Sequence, residues 1–178
     1  MNITLRNIIR RATLATVALL LSFGIAGAQI DLRISKSKIK SSLKRLDQLE
    51  LLAAQLNTAS GSTQAAADQL CQIAKQCKEL SESISHYINQ VSVLSTLQAS
   101  SEKVLQRTLL LTKLNTLSKE LASHKESISS IGSSIMSLGA SSKALKSIGA
   151  KIIKIAEKEY LYQAMAVGNM ISALGAMK

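Results

Sequence analysis

Three observations predict an all-α protein, an elongated up-and-down bundle of three or four helices. Proline is absent from all 178 residues, so no helix is interrupted by a missing N–H and a ring clash. Leu, Ile, Ala, Ser and Lys dominate, and aromatics amount to only 2%; apart from Ser, these are residues of helices and helix interfaces. Apolar residues recur in a four-then-three rhythm at Leu110, Leu114, Leu117, Leu121, Ile128, Ile131, Ile135 and Leu138. A coiled-coil-like seam of this kind stays dry only against partner helices.

Residues 1–28 read as a secretory signal. Arg6, Arg10 and Arg11 form a positive start, Ala12 to Ile25 an apolar run, and Ala26-Gly27-Ala28 a small-residue cleavage site. The competing reading is a retained N-terminal anchor. Residues 29–178 are expected to form a single domain. Ile30, Leu32 and Ile34 alternate with polar residues, a pattern that by itself predicts a short strand or extended arm.

Helical spacing then takes over at Ile39, Leu43, Leu46, Leu49, Ala53 and Leu56, predicting a first helix over 35–56. The stretch from Asn57 to Gln64 is the clearest loop, with Ser62 or Thr63 able to cap the next helix. A second seam runs through Leu70, Ile73, Cys77, Leu80, Ile84, Tyr87, Val91 and Leu94, predicting a helix over 63–97. Ser100 and Ser101 followed by Glu102 mark the start of a third helix over 101–138. Gly139, as a helix-ending glycine, and a new serine cap at Ser141 or Ser142 place the last turn. Leu145, Ile148, Ile152 and Ile155 resume the rhythm out of phase, so the stretch 142–177 reads as a fourth helix. Three helices of about 35 residues, each about 50 Å long, with short turns between them, imply antiparallel neighbours.

The formal net charge is +11. Removing the leader takes away three arginines and no acid, so the balance stays strongly positive. Such a surface attracts phosphate-rich partners and also serves simply to keep a protein dissolved. The cations concentrate in two places. Lys36, Lys38 and Lys40 crowd the start of the first helix, where they oppose its dipole. Lys143, Lys146, Lys151, Lys154 and Lys158 share one side of the fourth, opposite its apolar residues. Both sets are candidate contacts for an anionic surface. Beyond them Leu161 to Met177 carries no charge, and Ala164, Gly168 and Ser172 form a small-residue ridge suited to close helix packing.

Cys71 and Cys77 are the two cysteines. An exported chain with two cysteines is expected to form one disulfide. Six residues of continuous helix would hold the Cα atoms about 9 Å apart along the axis, too far for the roughly 4.4–6.8 Å a bridge needs. The helix is therefore broken and locally stapled, which is the leading expectation, or the thiols pair between chains, or both stay reduced. His124 interrupts the third seam. It reads as a pH switch in the core or, more simply, as a half-exposed histidine; His86 falls off the seam and should be solvated.

No nucleophile–histidine–acid order, phosphate loop, paired carboxylates or metal-ligand cluster stands out. The expectation is a non-enzymatic protein without cofactor, metal or small-molecule substrate. Scarce aromatics and the lack of a binding module argue against nucleic acid.

The tail Gln163-Ala164-Met165-Ala166-Val167-Gly168-Asn169, followed by Ser172-Ala173-Leu174, resembles the C-terminal helix of the minor pilin family of type IV secretion and conjugation systems. Those are exported, proline-poor helical proteins placed at the pilus tip. The resemblance implies assembly of a surface appendage and contact with a target cell. The functional expectation is an exported periplasmic, cell-surface or secreted protein that works by packing against protein partners or itself. The alternative is a membrane-active protein that inserts residues 143–177 into an anionic bilayer.

Overall fold

The computed structural model describes residues 31–58, 63–139 and 142–177. Residues 1–28, with their leader-like pattern, lie outside the described residues, as do Ser62 and Ser141. Among the described residues there are four helices and no strand: α1 (31–58), α2 (Gln64–Thr96), α3 (Ser101–Leu138) and α4 (Lys143–Ala176). Each runs antiparallel to the one before it, and together they form an up-and-down four-helix bundle. One end, here the upper, holds the start of α1, the α2–α3 turn and the end of α4.

The predicted strand or extended arm is not formed over residues 31–34. Residues 31–34 are already helical, with Leu32 buried and Ile34 47% exposed. The buried seam of α1 runs Leu32, Ser35, Ile39, Ser42, Leu46, Leu49, Ala53 and Leu56, with Leu52 buried beside it. That is an unbroken four-and-three seam, hidden in the sequence because two of its positions are serines.

The turns follow side-chain chemistry. The Thr63 hydroxyl donates to the Leu56 carbonyl (2.6 Å), stitching the end of α1 to the start of α2. Ser100 accepts from the Lys103 amide (3.1 Å), and Glu102 sits in the first turn of α3, favourable to the helix dipole. Ser142 accepts from the Leu145 amide (3.4 Å) at the start of α4. Gly139 ends α3 with φ −86°, not in the left-handed conformation expected. Glycine is needed there for space, since a Cβ would lie 2.4 Å from the Leu145 Cβ.

The core consists of two apolar slabs. The upper gathers Leu32, Ile39, Ile84, Val91, Leu94, Leu110, Leu114, Leu121, Val167, Met170 and Leu174. The lower gathers Leu46, Leu49, Leu56, Leu70, Cys77, Ile128, Ile135, Ile152 and Ala156. Fully burying each large aliphatic contributes about 1.5–3 kcal/mol, which is the main force holding the helices together. α3 and α4 approach closely where Gly132 faces Gly149. A Cβ on Gly149 would lie 2.5 Å from the Gly132 carbonyl oxygen, and one on Gly132 would lie 2.7 Å from Ile153 Cγ1.

Between the slabs, every helix turns a polar residue inward or partly inward. Ser42 of α1, Ser81 of α2, and Glu159 and Gln163 of α4 are buried. In α3 the same step, between Leu121 of the upper slab and Ile128 of the lower, is the half-buried His124.

Candidate functional site

The seam of α3 leaves a second apolar stripe on its outer side. Val104, Leu105 and Leu109 precede the first buried residue of the helix, Leu110, and are 55%, 60% and 54% exposed. Across the turn, Val93 and Leu97 at the end of α2 are exposed too. Val93 and Leu109 flank a groove of about 440 Å³ between α2 and α3. Five large apolar side chains thus surround one end of the bundle, far more than scattered surface leucines require. This face was not singled out from the sequence. The signal was present in the run Val104 to Leu111, where apolar residues fall outside the four-and-three seam.

The predicted cations divide. Lys36 points toward α2 and donates to Asn89 Oδ1 (2.9 Å). Lys38 lies over the Tyr162 ring, 5.7 Å from its centroid, and Lys40 is exposed. The five lysines of α4 are all exposed, as their spacing predicts. Lys151, Lys154 and Lys158 line a groove between α1 and α4 together with Arg45, whereas Lys143 and Lys146 do not.

Arg45 links that groove to the polar layer. Its Nε donates to Glu159 Oε1, and the Ser42 hydroxyl donates to Glu159 Oε2. The Arg45 guanidinium also lies 4.7 Å from the Tyr162 ring centroid, a cation–π contact. Burial pushes the Glu159 carboxyl above its ordinary range, and the Arg45 guanidinium, with Lys158 beyond it, partly offsets this. Gln163 completes the layer by donating to the Ser81 hydroxyl (2.7 Å). Arg45 Nη2 and His124 Nδ1 are buried with no hydrogen-bond partner among the described residues. That Ser42, Arg45, Ser81, Glu159 and Gln163 meet in one buried polar layer was not read from the sequence. Glu159 and Gln163, at i and i+4 on the apolar side of an otherwise amphipathic helix, were the available clue.

Two further expectations are corrected. α2 is continuous through both cysteines, and both are free, Cys71 exposed and Cys77 buried. The local staple needs a helix break that the sequence between them, Gln72 to Gln76, gives no reason for. Burial, reinforced by the Glu159 carboxylate, pushes the Cys77 thiol up to about 12, so it stays protonated in the core. The ridge of Ala164, Gly168 and Ser172 does not pack between helices. Gly168 and Ser172 are exposed, Ala164 is half-buried, and a Cβ on Gly168 would meet nothing within 4 Å. The close crossing belongs to Gly132 and Gly149 instead. His124 is half-buried, in line with the simpler of its two readings, and exposed His86 contacts Gln90 (2.9 Å).

Among the described residues no three His, Cys, Asp or Glu side chains come together as a metal site requires. No described helix is long and apolar enough to cross a membrane. Comparison of the chain with protein-family models, with curated proteins and with solved structures finds no match.

Proposed function

We propose that this chain is an exported, non-enzymatic helical subunit that works by packing against protein, through the apolar face at the upper end of the bundle. The observation that carries the reading is the exposure of Val93, Leu97, Val104, Leu105 and Leu109 at one end of the bundle, with Val93 and Leu109 lining one groove there. Leaving such a cluster in water costs solvation free energy that a partner surface recovers, at about 25 cal/mol per Å² of apolar area covered. The resemblance of the α4 tail to minor pilins points in the same direction, to a subunit of a surface appendage.

The alternative, insertion of residues 143–177 into a bilayer, is less well supported by the geometry. The apolar side of α4 (Ile152, Ala156, Ala166, Val167, Met170 and Leu174) is already buried in the core. Inserting it would require the bundle to open and both slabs to be dismantled.

Size-exclusion chromatography with light scattering on the purified chain, with and without anionic liposomes, tests the proposal. A discrete oligomer that ignores liposomes and falls to monomer in Leu105→Ser/Leu109→Ser supports it. A monomer that migrates with the liposomes, and stops doing so in Lys151→Glu/Lys154→Glu, overturns it in favour of the membrane-active reading.

A further inference from the structure

The groove between α1 and α4 combines a cationic rim with apolar walls. Arg45, Lys151, Lys154 and Lys158 line it, and no carboxylate does. Among the described residues none of the three lysines takes part in an ion pair. The neighbouring acid, Glu159, is already engaged by Ser42 and Arg45, and Arg45 Nη2 is left without a partner. The three lysines, unpaired beside the Arg45–Glu159 pair, repel one another, and an anion placed among them relieves that repulsion.

The cations are only half of the lining. Leu51, 64% exposed, and Ile155 form apolar walls in the same groove. A bare phosphate or carboxylate would satisfy the cations and leave these walls in water. An apolar peptide would cover the walls and leave the cations unpaired. Nucleic acid would ask for stacking surface, and Tyr162, the aromatic beside the slot, is already covered by Arg45 and Lys38. A volume of about 450 Å³ suits a small ligand rather than an extended polymer.

From this combination we infer that the α1–α4 groove binds a single-chain anionic amphiphile, its charged head held by Arg45, Lys151, Lys154 and Lys158 and its alkyl chain laid against Leu51 and Ile155. The inference is independent of the upper-end face, and it departs from the expectation of a chain without a small-molecule ligand.

Calorimetric titration of the purified chain with dodecyl phosphate below its micelle concentration provides the test. Inorganic phosphate, dodecyl maltoside and phosphatidylglycerol vesicles serve as the comparison arms. One saturable site per chain is expected for dodecyl phosphate, with inorganic phosphate and dodecyl maltoside each at least tenfold weaker. Decyl phosphate, two methylenes shorter, should bind about tenfold more weakly. Leu51→Gln and Lys154→Gln change exposed side chains, so the fold survives, as circular dichroism would verify; each should weaken binding about tenfold. Leu105→Ser, on the upper face, should leave it unchanged.

Several results would overturn the inference. These are absence of saturable binding, equal affinity for dodecyl maltoside, full affinity in both groove variants, or loss of binding in Leu105→Ser. Tighter association with phosphatidylglycerol vesicles than with monomeric dodecyl phosphate would replace it with docking to a membrane surface.

Discussion

The two halves of α4 are built from different chemistry and do different things. From Lys143 to Lys158 an exposed lysine recurs every three to five residues, and the inward side carries Gly149, Ile152 and Ala156. From Leu161 to Met177 there is no charge at all. There the inward side carries Ala166, Val167, Met170 and Leu174, while Leu161, Met165, Gly168 and Ser172 face out. Each half contains a glycine that a sequence reader could assign to helix packing. Gly149 is the one buried against a neighbouring backbone, and Gly168 stands in the open. Charge marks a solvent face reliably because burying it unpaired is so costly. Small size marks nothing by itself, since a glycine is tolerated both where a Cβ cannot fit and where nothing is near.

Adding one methyl group to each glycine should separate the two halves most strongly. Gly149→Ala gains about 1 kcal/mol of helix propensity. It also drives a Cβ onto the Gly132 carbonyl, which forces the backbones apart. Overpacking of this kind costs about 1–3 kcal/mol, and against a backbone oxygen that cannot swing aside the upper part of that range, about 2–3 kcal/mol, applies, so urea unfolding should show a net loss of about 1–2 kcal/mol. Cys77 lies in the slab that contains this crossing and reports on the same event. Its labelling by a thiol reagent should quicken in the variant, while exposed Cys71 reacts at once in both. A neutral or stabilised Gly149→Ala would mean that the crossing is not where the structure puts it.

The boundary between the halves is Glu159, and its titration gives the second test. Its folded-state pKa is raised above the ordinary 4.5, mainly by burial. Its contribution is therefore fully present while the carboxyl is protonated in both states, below pH about 4.5, and is lost as pH rises through the folded value. Stability followed by thermal melts should decline on going up from pH about 4.5. Glu159→Gln, which keeps a side chain able to accept from Ser42, should flatten that decline. A wild-type curve that rises over the same range would show that the Arg45 pair outweighs burial.

Smaller effects sharpen the picture from the other half. Gly168→Ala has open space around it and should stabilise the chain by about 0.5–1 kcal/mol, opposite in sign to the change at Gly149. Met165→Lys, on the exposed uncharged side, should move stability by less than about 0.5 kcal/mol in the same urea experiment. A larger loss would mean that this side is covered in solution.

The last three helices were legible to within a residue at each end, because caps and turns are written in local chemistry: Ser100 with Glu102, Gly139 with Ser142; α1, with no such signal before it, is already helical at residue 31, four residues ahead of its predicted start. The inward faces were less so. In α2 the sequence puts Ile73, Leu80 and Tyr87 on the seam, yet the buried residues are Ala74, Ser81 and Ile88. In α4 it puts Leu145, Ile148, Ile152 and Ile155 there; Ile152 is buried as expected, but its buried neighbours are Gly149 and Ala156. The discrepancy has one cause. Where four helices approach closely, the axis admits thin side chains and the bulky ones flank them half-buried, so a search for the largest apolar residues lands one position off. Ser42 and Ser81 were missed for the same reason, and with them the polar layer to which Arg45 belongs. The lysine face of α4 was read correctly; its meeting with Arg45 and Leu51 was not, since it depends on which helix lies alongside.

The polar layer also decides how the helices line up. Leucine and isoleucine slabs are permissive, and sliding one helix past another by a heptad would replace one aliphatic contact with the next. Ser42, Ser81, His124, Glu159 and Gln163 remove that freedom, because any such slip would carry Glu159 into a slab of hydrocarbon, away from Arg45 and Ser42. An unpaired buried charge costs several kcal/mol, enough to empty a misaligned state. In a chain whose seams are otherwise repetitive, one level of hydrogen-bonding side chains acts as the alignment mark by which four similar helices find a single arrangement.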